Sequence, residues 1–232
     1  MSKEKSARYK QIKKHFEEEA VKYDRVIREV APNYDSNVEA LVSAVTFNTR
    51  RKIRVLDIGC GTGNITEALV KRYPNASVVC LDITESMLST AKAKLRKYKR
   101  IEFERLDARD IAYCKEFDVV ISSLALHHVT EKEKPRLYGK IYAALKRGGV
   151  FYNADIVKAS NNTTYKMYLN KWREFMHKNL SPARIAETLR NHEQEDRPSP
   201  LMSELKMIGE AGFTDVDVIW KNYYFAVYGG RK

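Results

Sequence analysis

Val55-Leu56-Asp57-Ile58-Gly59-Cys60-Gly61-Thr62-Gly63-Asn64 is the stretch from which the fold can be read. An apolar run containing an acid breaks into three alternating glycines, and an amphipathic segment follows at once. A strand buried on both faces of a parallel sheet reads as such an apolar run. Glycines let the backbone turn sharply and approach a ligand where a side chain would collide. The amides that open the following helix then point at whatever lies over the loop. The stretch therefore predicts a nucleotide-type ligand site on a β-loop-α unit.

Three ligands compete for it. A phosphate-binding P-loop requires Lys and then Ser/Thr after its last glycine, and Asn64-Ile65 stand there instead. A dinucleotide site requires G-x-G-x-x-G, whereas this loop runs Gly59-Cys60-Gly61-Thr62-Gly63. Asp57 would also set negative charge where a pyrophosphate must sit. S-adenosylmethionine (SAM) carries no phosphate and does carry an ammonium group, which Asp57 can help neutralise directly or through the loop.

The rest of the unit agrees. Ser77-Val78-Val79-Cys80-Leu81-Asp82 is a second apolar run ending in an acid, nineteen residues after Gly63. An acid there is placed to accept hydrogen bonds from a ribose diol. Residues 101–108 alternate like a third strand, and Asp107 at its end is a candidate for the adenine amino group. Residues 117–123 form a fourth apolar run, ending in Ser122-Ser123. Leu145-Lys146-Arg147-Gly148-Gly149-Val150-Phe151 reads as a helix end, a glycine turn and a fifth strand.

With these motifs in order over roughly residues 50–157, the chain resembles a class I SAM-dependent methyltransferase. The resemblance implies a doubly wound, seven-stranded, mostly parallel α/β sheet of Rossmann-like type whose last strand is antiparallel. It implies one domain over residues 1–232: a helical cap at 1–49, a cofactor core at 50–157, a helical substrate lid at 158–212, and a strand pair at 213–232. The cap is expected from one amphipathic helix over 3–29, with Ile12, Phe16, Ala20, Tyr23 and Ile27 at helical spacing, and a second from Tyr34 through Val45. Helices are expected over 161–179, from Ser181-Pro182 onward, and over 201–211. Two strands, 214–220 and 223–228, have no helix between them and so pair antiparallel.

The chain of 232 residues carries a net charge of +12. Three basic clusters, residues 1–14, Arg50 to Arg54, and Lys92 to Arg100, carry +5, +4 and +6. The remainder is therefore slightly acidic. Such clusters fit either RNA phosphates or a solvated Lys-rich surface, and the solvated reading is favoured. No apolar run approaches a membrane span and no signal-peptide stretch opens the chain, so a cytoplasmic protein with no membrane partner is expected. Cys60, Cys80 and Cys114 form no zinc pattern and read as reduced thiols.

Methyl transfer from a sulfonium is an in-line displacement that gains most from positioning. A hydroxyl or thiol acceptor also needs a base. His127 and His128 follow strand four, and adjacent side chains there are not expected to enter the pocket together. His128 and Asp155 are the catalytic candidates. No metal is expected, because no third His or carboxylate lies at ligand spacing from the histidine pair. Trp172, Tyr168 and Phe175 are candidates for a pocket wall, and residues 193–198 for a lid or a solvated loop.

Within the class, the whole chain is similar to the tRNA wobble-uridine carboxymethyl transferases, which use carboxy-SAM. The likeness rests on Pro32-Asn33-Tyr34, Lys140-Ile141-Tyr142 before Gly148-Gly149, Ala211-Gly212-Phe213, and the aromatic ending Trp220…Tyr224-Phe225. It implies cofactor contacts at Tyr34, Gly59, Cys60, Gly61, Asp82, Asp107, Ala108 and Ser123, to which the loop and strand reading adds Asp57, Gly63 and Ile83. Ser123 replaces that family's Asn, and Gly63 suits ordinary SAM enzymes. Neither Arg190 nor Arg197 sits in a motif matching that family's carboxylate-binding arginine. Plain SAM is therefore expected, with carboxy-SAM as the minority reading. A small-molecule acceptor is expected, with tRNA as the alternative; the acceptor atom and the oligomeric state, a homodimer included, stay open.

Overall fold

The computed structural model describes residues 3–232, with side chains from Arg8 onward. Its strands are β1 (Arg54–Ile58), β2 (Ser77–Asp82), β3 (Ile101–Arg105), β4 (Phe117–Ser123), β5 (Leu145–Ile156), β6 (Thr214–Asn222) and β7 (Phe225–Arg231). They form one sheet in the order β3-β2-β1-β4-β5-β7-β6. β1 to β5 pair in parallel, and β7 runs antiparallel to both β5 and β6. The chain order reverses between β1 and β4, which opens a crevice beyond the carboxyl ends of those strands.

Successive side chains of a strand point to opposite faces, and the core divides accordingly. Leu56, Ile58, Val79, Leu81 and Val120 enter one apolar cluster, while Val55, Val78, Cys80, Val119 and Ile121 enter another. Both faces are thus closed to water, which is why these strands read as continuous apolar runs.

The helices are α1 (Lys3–Glu19), α2 (Tyr23–Val30), α3 (Tyr34–Ala44), α4 (Asn64–Arg72), α5 (Glu85–Leu95), α6 (Lys134–Ala144), α7 (Asn162–Met176), α8 (Pro182–Glu195) and α9 (Leu201–Glu210). The single helix expected over 3–29 is in fact two. The chain turns at Ala20–Lys22, burying Ala20 and leaving Val21 91% exposed. The turn lets α1 run to the start of α5 and to α8, while α2 packs on α3 and α7. Residues 145–147, expected as a helix end, already belong to β5: Leu145 pairs with Phe117, and an irregularity in the pairing follows before Val119–Val150. Among the described residues no helix is long and apolar enough to cross a membrane.

Candidate active site

The glycine loop shapes the crevice by two different constraints. Gly59 takes φ +69°, and a Cβ there would lie 2.3 Å from the Cβ of Ala125. Gly61 takes φ +53° and faces open space. The first glycine is thus required by close packing against the loop after β4, and the second by backbone conformation beside a cavity.

That cavity is walled by Tyr34, Gly59, Cys60, Gly61, Asp82, Ile83, Asp107, Ala108 and Ser123, and roofed by Tyr9, Ile12 and Phe16 of α1 with Tyr23 of α2. The Asp82 carboxylate accepts from the Gly61 amide at 2.9 Å and from the Thr84 amide and hydroxyl at 2.9 and 2.6 Å. Burial raises its pKa. Asp107 accepts the Arg109 guanidinium, with Nη2 at 2.6 Å, and the guanidinium carbon lies 3.6 Å from the Tyr9 ring centre. Tyr34 is buried, and its hydroxyl accepts from Asn64 at 3.3 Å.

Two expected residues stand off this wall. Asp57 is fully buried behind the loop, where Oδ2 accepts from the Thr66 hydroxyl at 2.6 Å and Oδ1 has no partner. Burial pushes its carboxyl up to about 7, against the Thr66 hydrogen bond. Its carboxylate is turned to Thr66 of α4 and does not line the cavity. Gly63 caps α4, and a Cβ there would lie 2.7 Å from Leu95. Its role is packing of α4 against α5.

A second cavity adjoins the first. Phe16, Tyr23, Leu124 and His128 line both. Its further walls are apolar at Val26, Ile27, Ile156, Trp172 and Phe225, and polar at His15, His127, His192, Glu195 and Asp196. Trp172 is held there by its indole N–H, which donates to the Val30 carbonyl at 2.7 Å. Tyr168 and Phe175 lie outside, on a separate surface hollow.

The polar end is a dense array of histidines and carboxylates. His127 and His128 do converge, with ring centres 4.1 Å apart, contrary to the expectation from their adjacency. A short 3-10 turn over Leu126–His128 brings both imidazoles inward. His127 Nδ1 pairs with Asp155 Oδ1 at 2.5 Å, and its Nε2 lies 3.4 Å from Asp196 Oδ1. Burial opposes its protonation, but the two carboxylates outweigh that and raise its pKa to about 10. His128 Nδ1 lies 3.3 Å from the same Asp196 oxygen, yet neither ring nitrogen is hydrogen-bonded. Burial, aided by the charge of His127, lowers its pKa to about 3.

Asp155, a catalytic candidate from sequence, faces neither cavity. It is fully buried and accepts from the His127 amide and ring and from the Ile156 amide, so it orients His127. Asp196 arrives from the end of α8, 68 residues beyond His128, and its other oxygen accepts from His192 at 2.8 Å. Residues 193–198 are thus not a solvated loop, since Glu195 and Asp196 line the second cavity. Donor atoms of His127, His128 and Asp196 lie within 4.8 Å of one another, which corrects the expectation that the histidine pair lacks a third metal-binding neighbour. Glu195 accepts from His15 of α1 at 2.7 Å. No local motif marks His15, Asp196 or His192; their proximity is purely tertiary.

The arginines expected near a carboxylated cofactor are elsewhere. Arg190 and Arg197 are exposed and line neither cavity, and Arg197 bonds backbone carbonyls of Glu193 and Asp196. Arg184 reaches the second cavity but is paired with Glu19 and Glu187. The basic cluster Arg50 to Arg54 runs into the first residue of β1, at the end of the sheet opposite both cavities, where Arg51 meets Asp118 at 3.0 Å and Arg54 meets Glu116 at 3.6 Å.

A doubly wound sheet with a glycine loop at its switch point and an acid crowning the next strand defines a class I SAM-dependent methyltransferase. Residues 55–149 match the family described as "Methyltransferase domain". The chain is 31% identical to a carboxy-S-adenosyl-L-methionine synthase of a Nitratiruptor species, over 96% of each chain. It is 33% identical to a demethylmenaquinone methyltransferase of Leptospira interrogans, over 65% of this chain and 62% of that one. Its fold is similar to that of human N-acetylserotonin methyltransferase in complex with SAM, with a TM-score of 0.64 at 19% identity, over 93% of this chain and 56% of that one. The chain belongs to the SAM-dependent methyltransferase family and is a SAM-dependent enzyme.

Proposed function

We propose that SAM occupies the first cavity and that its methyl group passes to a small acceptor in the second. The observation that carries this reading is the shared wall of Phe16, Tyr23, Leu124 and His128, which borders both spaces. A sulfonium methyl at that wall would face the acceptor in line, the arrangement that displacement needs. Asp82, Ile83, Asp107 and Ala108 would hold the adenosine, since a carboxylate oxygen keeps lone pairs for ribose hydroxyls after accepting from the loop. Cys60, Gly61, Tyr34 and Ser123 would flank the methionine part, and Asp57 would act on it through the loop. The second cavity is about 160 Å³, close to a void that accepts one benzene ring. An acceptor with one ring or an equally compact head would fit.

The relative that synthesises carboxy-SAM favours a second reading, in which SAM itself is carboxylated. An anionic carboxyl donor requires an uncommitted cation, and Arg184, the arginine on the second cavity, is already paired with two carboxylates. Methyl transfer is therefore preferred. The cluster from Arg50 to Arg54 lends the tRNA reading no support, because it would hold RNA at the far end of the sheet.

Two measurements test the proposal. Asp82→Ala is expected to weaken SAM binding by roughly 1.5–3 kcal/mol, the worth of a charge-assisted hydrogen bond; unchanged affinity in calorimetry removes the ribose assignment. Methyl-labelled SAM incubated with fractionated cell extract is expected to label the small-molecule fraction. Label in tRNA, or carboxy-SAM among the products, overturns the acceptor assignment.

A further inference from the structure

His127, His128 and Asp196 share one small volume on the second cavity, His128 also bordering the first, and their separations are informative. Asp196 Oδ1 is 3.4 Å from His127 Nε2 and 3.3 Å from His128 Nδ1. These are long beside the other carboxylate–imidazole contacts of the cluster, which run from 2.5 to 2.8 Å. They match the spacing of ligands around a metal ion: donors about 2.0–2.1 Å from a tetrahedral centre lie about 3.4 Å from one another.

The surrounding bonds prepare each donor. His127 Nδ1 pairs with Asp155 and its Nε2 faces Asp196, where a bound ion would displace the Nε2 proton. A carboxylate behind the distal nitrogen is the usual support of a metal-ligating histidine. His192 occupies Asp196 Oδ2, leaving Oδ1 for the centre. His128 is buried with no well-formed hydrogen bond at either ring nitrogen, Nδ1 lying 3.3 Å from Asp196 Oδ1, an arrangement costly for a polar group unless something binds it. Two imidazoles and one carboxylate, with positions left for further ligands, form a donor set suited to zinc or ferrous iron.

We propose that His127, His128 and Asp196 bind one divalent first-row transition-metal ion whose open positions face the second cavity and take an acceptor hydroxyl. The proposal rests on the methyltransferase reading of the two cavities. The ion acts as a Lewis acid that lowers the pKa of the bound hydroxyl, whose proton leaves to solvent. The oxygen lone pair forms the new bond to the methyl carbon while the carbon–sulfur bond breaks, and its electron pair stays on sulfur as a neutral thioether. The acceptor class is accordingly a compact phenol or enol.

The test uses the full chain, freed of metal by chelation and titrated with Co²⁺ as a visible probe. About one equivalent is expected to give the intense absorption of a low-coordinate cobalt site, displaced by Zn²⁺. His128→Ala and Asp196→Asn are each expected to weaken binding at least about tenfold, and Asp155→Asn by about 10- to 100-fold. A spectrum no different from aqueous cobalt, or variants that bind as the parent does, overturns the proposal. Should a variant fail to fold, X-ray absorption of the zinc-loaded parent decides, since two imidazoles and a carboxylate oxygen are required in its inner shell. SAM affinity is measured on the same samples. SAM binding without cobalt binding sinks the metal site alone, and cobalt binding without SAM binding sinks the two-cavity reading alone.

Discussion

Gly59 and Asp57 are two residues apart, yet they act on the site by unrelated physics. At Gly59 a methyl group would meet Ala125 at 2.3 Å in a left-handed backbone. Gly59→Ala is expected to cost about 1–3 kcal/mol of stability and to weaken SAM binding, read by thermal unfolding with and without SAM. At Asp57 the effect is electrostatic. Its carboxyl titrates near 7 when folded and near 3.9 when unfolded. Between those values the folded chain holds a proton that the unfolded chain has released, so this group's contribution falls as pH rises from about 4 to about 7, then levels. Relative to Asp57→Asn, the parent is expected to lose up to about 4 kcal/mol across that window, measured by urea unfolding at a series of pH values. A parent that gains on the variant with rising pH would contradict the assignment. The glycines and the acid were legible from spacing alone. That the Asp57 carboxylate turns to Thr66 instead of the cavity was not, because the packing of α4 on β1 sets it.

Among the elements, α6 and α9 are joined by a buried charge. Lys134 and Glu204 are 1% and 0% exposed and paired with each other, with Tyr138 also donating to Glu204 and Lys134 donating to Ser199 at 3.0 Å. Lys134→Met leaves that carboxylate without its cation and is expected to cost about 3–5 kcal/mol. Lys134→Met combined with Glu204→Leu is expected to recover most of it, and denaturant midpoints of the two variants test the contrast. The sequence reading expects a helix over 201–211 and a helix end at 145–147, and it singles out neither Lys134 nor Glu204, since nothing local marks a charge that is buried against a distant partner. The bend at Ala20–Lys22 escaped for a similar reason: it contains no Gly or Pro, and tertiary packing alone sets it.

Over the molecule as a whole, α1 is the cover of both cavities. Ile12 and Phe16 face the first, and His15, Phe16 and Glu19 face the second. Glu17 accepts from the Glu85 and Ser86 amides at the start of α5, while Arg8 donates to the carbonyls of Glu195 and His128 at 2.9 and 3.0 Å. SAM is expected to slow amide hydrogen exchange in α1 and in residues 193–197 more than in β6, since closing contacts raise local opening free energies. Equal protection in α1 and β6 would mean that the cover closes regardless of SAM. The sheet and its crevice follow from apolar runs and strand-end acids that are contiguous in sequence. The histidine–carboxylate array joins α1, the turn after β4, β5 and α8, and only folding brings those four segments together.

One roof over two chambers has a consequence for entry. On the two-cavity reading, a displacement of α1 wide enough to admit one reactant would uncover the space for the other as well, because Phe16 borders both. Reactants and products would then share one opening.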